Sequence, residues 1–311
     1  MNPPSPSIIK NRQVENMKNR ALSWYKPIDP WLFILPTLLG LIVFRLGPII
    51  SALFISFTNW DILKKADFIG VSNYSEMFNN PAFFKVLWNT IGFSFIYVVG
   101  VMVFGLMLAV LLNQKLKGIK FFRSAFYTPV ITSAVAVGII WLWILSPKYG
   151  ILTILLKNIG IKSPYWIGDP KVALFTVSII QVWKMSGYYM ILFLAGLQLI
   201  PVSLKEAAII DGANKVQAFF KITIPLLSPT IFFVLSVSII DSFRNFELIY
   251  SMTRGGPQNS TNTLVYDVYL NAFVYYRMGY ASSLAYILLG IVAVITILNF
   301  QMKKRWVQYQ Y

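Results

Sequence analysis

Apolar runs long enough to cross a membrane dominate this sequence and restrict what it can fold into. An α-helix rises 1.5 Å per residue, so about 20 apolar residues cross the roughly 30 Å hydrocarbon core of a bilayer. Runs of that length recur along the chain, of which 57% is hydrophobic and only 12% charged. Soluble domains carry about 25% charged residues. The sequence therefore predicts an all-α integral membrane protein.

Six transmembrane helices are predicted, at residues 31–57, 88–112, 126–145, 172–200, 226–250 and 282–302. Residues 1–30 are polar and basic, without an apolar core long enough for a secretory signal, and are predicted to form a tail. Residues 31–311 show neither a repeat of 20 to 50 residues nor a Ser/Gly linker. They are predicted to form a single membrane domain, with a short interfacial helix in residues 146–166.

The basic residues predict the orientation of this domain. An even number of spans places both termini on one side of the membrane. With the N-terminus inside, fifteen Lys and Arg residues lie in the inner loops and tails and nine in the outer loops. Loops rich in Lys and Arg stay in the cytoplasm. Both termini are therefore expected to be cytoplasmic.

The missing residue types exclude most catalytic functions. The chain has no Cys and no His, which excludes nucleophiles, general bases and metal ligands of those types. The net charge of +16 could indicate nucleic acid, but basic cytoplasmic loops explain it more simply. No G-x-x-x-x-G-K phosphate loop occurs, so the chain itself is not expected to hydrolyse ATP.

A polar segment, "EAAIIDGANKVQAFFKITIPLLSP", separates the fourth and fifth apolar runs. Ser203 and Glu206 have the spacing of a capping box, which predicts a helix start. Asp211 and Gly212 are expected to end that helix, because Gly adopts the left-handed conformation without steric cost. A second helix is expected from residue 214 until Pro225 restarts the chain into the membrane. Local physics alone favours an ordinary cytoplasmic loop with a well-capped helix.

The same segment resembles the EAA signature of ABC importer permeases. The matching positions are Glu206, Ala207, Ala208, Gly212, Ile222, Ile224 and Pro225, with Ile224 where Leu is usual. Flanking runs such as "FFRSAFYTPVITSAVAVG", "MTRGGPQNSTNTLVYDVYLNAF" and "MGYASSLAYIL" are similar to the first-permease branch of maltose-type carbohydrate-uptake importers. The large outward domain of the maltose permease has no counterpart, so contacts made by that domain are not carried over.

This resemblance implies a type I importer permease fold in a bacterial or archaeal cytoplasmic membrane. It implies a second, homologous permease subunit, two ATPase subunits that bind Mg-ATP, an extracytoplasmic solute-binding protein and a sugar substrate. It implies no cofactor and no metal on this chain. The coupling helix that docks on an ATPase would comprise Glu206, Ala207, Ala208, Asp211 and Gly212.

Polar residues deep in two predicted spans are candidates for the solute pathway, because such residues are costly in lipid and usually face a cavity. On the fourth span, Gln181, Lys184 and Tyr188 share one helix face. The candidates on the fifth span are Asp241, Ser242, Arg244, Asn245 and Glu247. Amides, carboxylates and guanidinium groups pair with sugar hydroxyls, and aromatic rings cover the apolar faces of the sugar ring.

Other interpretations of these residues stay open. Asp241, Arg244 and Glu247 could neutralise one another along a helix face, and Lys184 could hold a neighbouring helix. By resemblance, Gln181, Lys184, Met185 and Arg244 replace smaller or uncharged residues of the maltose permease, so maltose is not assumed as the substrate. An acidic sugar or a glycerol-phosphate-like solute is an alternative.

The outward loop after the fifth span contains Gly255, Gly256 and Pro257, which are turn formers. They predict a tight turn alone, or by resemblance a contact with the docked binding protein. Two other functional classes were compared with the importer. A self-sufficient carrier would need an acidic site such as Asp241 or Glu247. A Ser-Lys hydrolase would need Ser186 and Lys184 together, but their i, i+2 spacing places them on different helix faces.

Overall fold

The structure is a computed structural model that describes residues 29–307 except residues 64, 115 and 116. The predicted basic tail, residues 1–30, therefore lies almost entirely outside the described residues. Within the described residues the regular elements are helices, and the extended pairing is one antiparallel bridge between Thr58 and Phe68. The predicted all-α fold is confirmed.

The chain divides into two compact units, Met1–Phe54 and Ile55–Tyr311. The described part of the first unit contains α1 (Asp29–Leu41), a π-helical turn (Ile42–Leu46) and most of α2 (Gly47–Ser56). Together these elements contain an apolar stretch, Trp31–Ser56, that is long enough to cross a membrane. Arg45 lies in the π-helical turn.

The second unit contains the other helices. In chain order they are α3 (Ser72–Asn79), α4 (Pro81–Leu112), α5 (Ile119–Ile131), α6 (Ala134–Ile144), α7 (Ile151–Asn158), α8 (Ala173–Leu199), α9 (Val202–Ile210), α10 (Lys215–Ala218), α11 (Ile224–Leu226), α12 (Ser228–Ser242), α13 (Glu247–Met252), α14 (Leu264–Tyr269) and α15 (Met278–Trp306). Two π-helical segments, Phe219–Thr223 and Leu270–Val274, follow α10 and α14. The predicted short helix in residues 146–166 is α7.

The described residues include four helical stretches that are long and apolar enough to span a membrane, and two sharply bent pairs that raise the number to six. The four are Trp31–Ser56, α4, α8 and Met278–Lys304 of α15. The bent pairs are α5 with α6, at 98°, and Lys215–Leu226 with α12, at 67°. Each of the six predicted spans therefore has a counterpart, but the third and the fifth are broken.

The prediction of one continuous third helix at residues 126–145 is wrong. The helix ends at Ile131 and restarts at Ala134, because Thr132 adopts an extended conformation. Pro129 lies inside the last turn of α5, where its ring and missing N–H weaken the helix. The hydroxyl of Thr132 also donates to the carbonyl of Thr128, in competition with the backbone.

The fifth span also differs from its prediction. Pro225 does not restart the chain, because it lies within a helical stretch that bends only at Leu227. The next helix, α12, begins at Ser228 with Pro229 in its first turn and ends at Ser242. Residues 243–246 form a turn before α13, and the backbone N–H of Arg244 donates to the carbonyl of Asp241. The polar residues predicted inside a continuous helix therefore lie at a break.

The core of the second unit forms where α8 packs along α4. Tyr97 and Val101 of α4 and Tyr189 and Phe193 of α8 are almost completely buried. Gly105 lies against the side chain of Tyr189, so the two helices approach closely at this point. The broken spans pack around this pair and bring their breaks close to α8.

Candidate functional site

The predicted coupling helix is α9, and its described side chains are exposed except for Ala208. The side chains of Glu206 and Ala207 are exposed, whereas Ala208 is buried. The helix ends at Ile210, and Gly212 follows with a φ of 85°. The backbone N–H of Ala213 donates to the carbonyl of Ala208 at 2.9 Å, which closes the helix end. The predicted helix end at residues 211–212 is confirmed.

The predicted start of this helix at Ser203 is wrong. The helix begins at Val202, after Pro201, and the structure shows no side-chain cap at this described end. Pro201 has the backbone angle that favours a helix start, so the chain turns helical before Ser203 can act as a cap. The capping box belongs to the next helix, where Asn214 and Gln217 exchange hydrogen bonds of 2.8 and 3.0 Å.

Large apolar side chains surround the coupling helix on its solvent side. Ile210 is 85% exposed, and Ile209, Val216 and Phe220 are also exposed. Beneath the segment, a cavity of about 260 Å³ opens between the ends of α4 and α8 and is lined by Asn113, Lys215 and Thr223, among others. Several exposed large apolar side chains in one short segment are typical of a surface that another protein covers.

Lys184, predicted as a pathway residue, is buried and bonded to the break of the third span. Its ammonium group donates to the carbonyl oxygens of Pro129 and Val130, at 3.1 Å each. Carbonyls in the last turn of a helix lack intrahelical partners. One turn further along α8, a Cβ atom on Gly187 would overlap the carbonyl oxygen of Phe126. Lys184 and Gly187 together dock α8 against α5.

The other two candidates on α8, Gln181 and Tyr188, are half-buried. The ring of Tyr188 makes an edge contact with Tyr189, with centroids 5.2 Å apart. The hydroxyl of Tyr189 donates to Oδ2 of Asp241 at 3.0 Å and accepts from the hydroxyl of Tyr97 at 3.3 Å. This chain of hydrogen bonds joins α4, α8 and α12. Sequence reasoning missed Tyr97, because the residue is embedded in an apolar run.

The candidates on the fifth span differ in exposure at the break after α12. Asp241 is half-buried, while Arg244 and Glu247 are exposed. Because the helix ends at Ser242, these three charged residues do not lie on one helix face. The interpretation in which they neutralise one another along such a face is therefore wrong. Within the described part of the chain, no two of these charged groups lie within 4.0 Å of each other, the limit for an ion pair.

Ser242 and Asn245 are the two buried polar residues at the same break. The hydroxyl of Ser242 donates to the carbonyl of Ile239 at 2.7 Å. The side-chain amide nitrogen of Asn245 is buried and finds no acceptor among the described residues. Such buried, unpaired donors are rare in folded proteins and are often paired by water or a ligand.

The loop at residues 253–263 is a tightly held turn. Gly255 has a φ of 81° and is buried, and the Gly256–Pro257 peptide bond is cis. Two side chains of α4 hold the loop, since Lys85 donates to the carbonyl of Gln258 and Asn89 donates to those of Asn259 and Asn262. The predicted turn at Gly255, Gly256 and Pro257 is confirmed.

The exposed side chains of this loop are Arg254, Gln258 and Asn259, all with positive φ angles. Sequence reasoning singled out the glycines and missed these residues. Behind the loop, burial raises the pKa of Asp267 above its ordinary value of 3.8, while a hydrogen bond from Asn262 opposes the shift. Among the described residues, no group of three or more acidic side chains could hold a metal ion.

Comparison with known proteins identifies relatives over most of the chain. The sequence profile of the family described as "Binding-protein-dependent transport system inner membrane component" matches residues 101–307. The chain is 40% identical over 288 residues to the probable ABC transporter permease protein YesP of Bacillus subtilis, covering 90% of this chain and 92% of YesP. It is 37% identical over 289 residues to the arabinooligosaccharides transport system permease protein AraP of the same organism, covering 91% of each chain.

A solved structure shares the fold. A chain of the bacterial alginate ABC transporter, crystallised with an alginate pentasaccharide-bound periplasmic protein, superimposes with a TM-score of 0.80 at 22% identity. The match covers 96% of this chain and 99% of that chain. The predicted type I importer permease fold is thereby confirmed. The relatives are permease proteins, so this chain is grouped with transport subunits rather than with enzymes.

Proposed function

The chain belongs to the binding-protein-dependent transport system inner membrane components, and on this premise we propose that it forms half of the translocation pathway of an ATP-driven importer for an oligosaccharide or related sugar. The observation that carries the proposal is the break after α12, where polar side chains meet aromatic ones. Asn245 supplies a buried donor that lacks a partner among the described residues. Sugar hydroxyls would supply the missing acceptor.

The solute-contacting residues of the proposed site come from two helices and a turn. Gln181 and Tyr188 contribute from α8, Asp241 and Ser242 from the end of α12, and Asn245 from the turn that follows it. Tyr189 orients Asp241 through the 3.0 Å hydrogen bond, which leaves the second carboxylate oxygen for a sugar hydroxyl. Arg244 and Glu247 lie exposed on the same turn and would bind solute further out. Lys184, which is bonded to two carbonyls, would position α5 rather than bind solute.

The proposed assembly contains a second permease, two ATPase subunits with Mg-ATP, and a solute-binding protein outside the membrane. Both termini, including the basic tail of residues 1–30, would be cytoplasmic, and residues 31–311 would form one membrane domain. The coupling residues Glu206, Ala207, Ala208, Asp211 and Gly212 would dock on an ATPase. The exposed apolar side chains of Ile210 and Phe220 supply a surface for that contact.

The coupling segment is well placed to transmit movement to the pathway. After the turn at residues 211–214 the chain is helical from Lys215 to Leu226, and a bend at Leu227 connects this stretch to α12, the helix that ends at the proposed site. A displacement of the segment would therefore displace α12, which is joined to it at Leu227. Rocking of such helices as rigid bodies exposes a midplane site alternately to the two sides.

The loop with Gly255, Gly256 and Pro257 would contact the solute-binding protein. Its anchoring by Lys85 and Asn89 supports this proposal, because a loop held in one conformation loses little entropy on docking. The contacts would be made by the exposed side chains of Arg254, Gln258 and Asn259.

One observation favours an acidic solute as a second candidate. Arg244 is exposed at the break, and no ion pair is found for its guanidinium group in the described ranges. A carboxylate or phosphate would form a bidentate pair with it. The alternative substrate is therefore an acidic sugar or a glycerol-phosphate-like solute.

The pathway is tested with a double variant, Gln181→Ala with Asn245→Ala, in the assembled complex. Removing two polar contacts to the solute is expected to lower uptake about tenfold or more, since 1.4 kcal/mol corresponds to a factor of ten. Basal ATP hydrolysis and assembly should be retained. The matched control is Gln198→Ala with Asn158→Ala, the same side-chain types at exposed positions. Unchanged uptake by the first double variant would place the solute site elsewhere.

A further inference from the structure

Five aromatic rings form a continuous series that begins at the break after α12. They are Phe246, Tyr250, Tyr266, Tyr269 and Phe273, named here the aromatic track. Phe246 lies 5.3 Å from Tyr250 and 5.0 Å from Tyr269, measured between ring centroids. Tyr269 lies 5.6 Å from both Tyr250 and Phe273. The track therefore runs from the break, through α13 and α14, to the π-helical segment Leu270–Val274.

Two of the five rings, Tyr250 and Phe273, are exposed, and Phe246 and Tyr269 are half-buried against the core. Tyr266 is buried and supports Phe246 and Tyr269 from behind, at centroid distances of 5.8 and 6.0 Å. Tyr250 is 40% exposed and Phe273 is 62% exposed. Rings that served only as core would be covered. Tyr250 and Phe273 instead combine packing against neighbouring rings with open surface, as a stacking platform requires.

The track is continuous with the proposed solute site. Phe246 directly follows Asn245, with its unpartnered donor, and directly precedes the exposed carboxylate of Glu247. A solute held at Asn245 would therefore meet Phe246 first and then Tyr250 and Tyr269. Phe246 and Tyr250 lie nearly parallel and partly cover each other, whereas Tyr269 stands at 83° to Tyr250 and at 59° to Phe246. Sugar units that pass the break would therefore meet ring edges as well as ring faces.

We propose that the aromatic track binds consecutive sugar rings of an oligosaccharide and so sets the chain length that the permease prefers. This inference rests on the function proposed above and adds its specificity-determining residues. The apolar C–H faces of sugar rings stack on aromatic faces, and the tyrosine hydroxyls at the rim of the track hydrogen-bond to sugar hydroxyls. A longer solute covers more of the track and gains more from it.

The test uses the complete complex in proteoliposomes with its solute-binding protein. The probes are arabino-oligosaccharides and alginate oligosaccharides of about two to six units, and uptake of each is divided by the wild-type value. Tyr250→Leu and Tyr269→Leu remove a ring but keep apolar volume. Tyr250→Phe and Tyr269→Phe keep the ring, and Tyr149→Leu changes an exposed tyrosine outside the track.

For the Leu variants we expect a loss of uptake that grows with chain length, from less than twofold for the shortest probe to about tenfold for the longest. The Tyr149 variant should show no such trend, and the Phe variants, which keep the ring but lose the hydroxyl, should show a weaker trend than the Leu variants. An equal loss at every length would overturn the inference, as would loss of the second permease from the purified complex, which would make the rings a subunit interface. A wild-type complex that imports no probe would overturn the proposed sugar function as well. If the wild-type complex imports the probes but the Leu variants show no loss that grows with chain length, the role of the aromatic track is overturned and the proposed sugar function is not.

Discussion

The ammonium group of Lys184 donates to the carbonyl oxygen of Pro129 at 3.1 Å, across the contact between the fourth span and the broken third span. A charged donor on one helix thus satisfies a carbonyl that the break on another helix leaves free. Backbone groups without partners are costly in lipid. The break in the third span and the buried charge on the fourth span therefore explain each other.

Replacing Lys184 with Met is expected to destabilise the fold while leaving the solute contacts in place. The variant leaves two carbonyls without their donor, which we expect to lower the free energy of unfolding by about 1 to 2 kcal/mol. Lys184→Arg keeps a charged donor and should restore part of the loss. Thermal unfolding of the purified complex in detergent measures both. Wild-type stability of the Met variant combined with lost uptake would show instead that Lys184 contacts the solute.

Gly212→Pro should separate ATP hydrolysis from uptake. Proline cannot adopt the φ of 85° and removes the N–H that donates to the carbonyl of Ile209, so the end of the coupling helix must rearrange. We expect correct insertion, continued ATP hydrolysis and an uptake at least about tenfold lower. Gly212→Asn is the control, because Asn tolerates left-handed backbone. Normal uptake by the proline variant would contradict the coupling role.

Tyr189→Phe removes the central hydroxyl of the chain that joins α4, α8 and α12. Two hydrogen bonds disappear and Asp241 loses its buried donor, so we expect a loss of about 1 to 2 kcal/mol in stability and weaker solute affinity. Tyr97→Phe keeps the bond between Tyr189 and Asp241 and should cost less. Unfolding midpoints of the two variants, compared side by side, give the order. A larger effect for Tyr97→Phe would refute this arrangement.

Asp267→Asn should stabilise the protein increasingly as the pH rises. Burial raises the pKa of Asp267, so the folded state holds the proton more tightly than the unfolded state. The wild type therefore loses stability as the pH rises from the unfolded value of 3.8 through the higher folded value. Asn keeps an acceptor for Asn262 without the charge. The unfolding midpoint of the variant minus that of the wild type should be near zero at about pH 4 and positive at about pH 7. The opposite trend would show that the charged form is the favoured one.

The spans were predictable because each is an apolar run whose length depends only on the thickness of the membrane. The end of the coupling helix was also predictable, because Gly212 needs no distant partner to adopt a left-handed backbone. The breaks were not. The one at Thr132 is held by Lys184, a residue that lies more than fifty positions away, and Pro129 was the only local signal. Ser203 was misplaced because Pro201 offered an earlier helix start, while the Asn214 and Gln217 pair fitted the same capping rule and was overlooked.

Sites that depend on several elements were only partly predictable. Gln181 and Asn245 could be singled out as polar residues in apolar runs. The aromatic track could not, because its rings come from two helical stretches, residues 246–250 and 264–274, and aromatic residues make up 16% of the chain. Helical spacing brings the rings of each stretch together, but the contact between the two stretches is a property of the fold.

ATP hydrolysis by the purified complex, with and without the sugar-loaded binding protein, tests the importer function most directly. We predict that this chain co-purifies with a second permease and an ATPase, and that the loaded binding protein stimulates hydrolysis whereas the sugar-free protein stimulates it less. Arabino-oligosaccharides and alginate oligosaccharides offered in the same assay would separate a neutral from an acidic substrate. A chain that purifies alone and transports solute without any ATPase would contradict the proposal and identify a self-sufficient carrier.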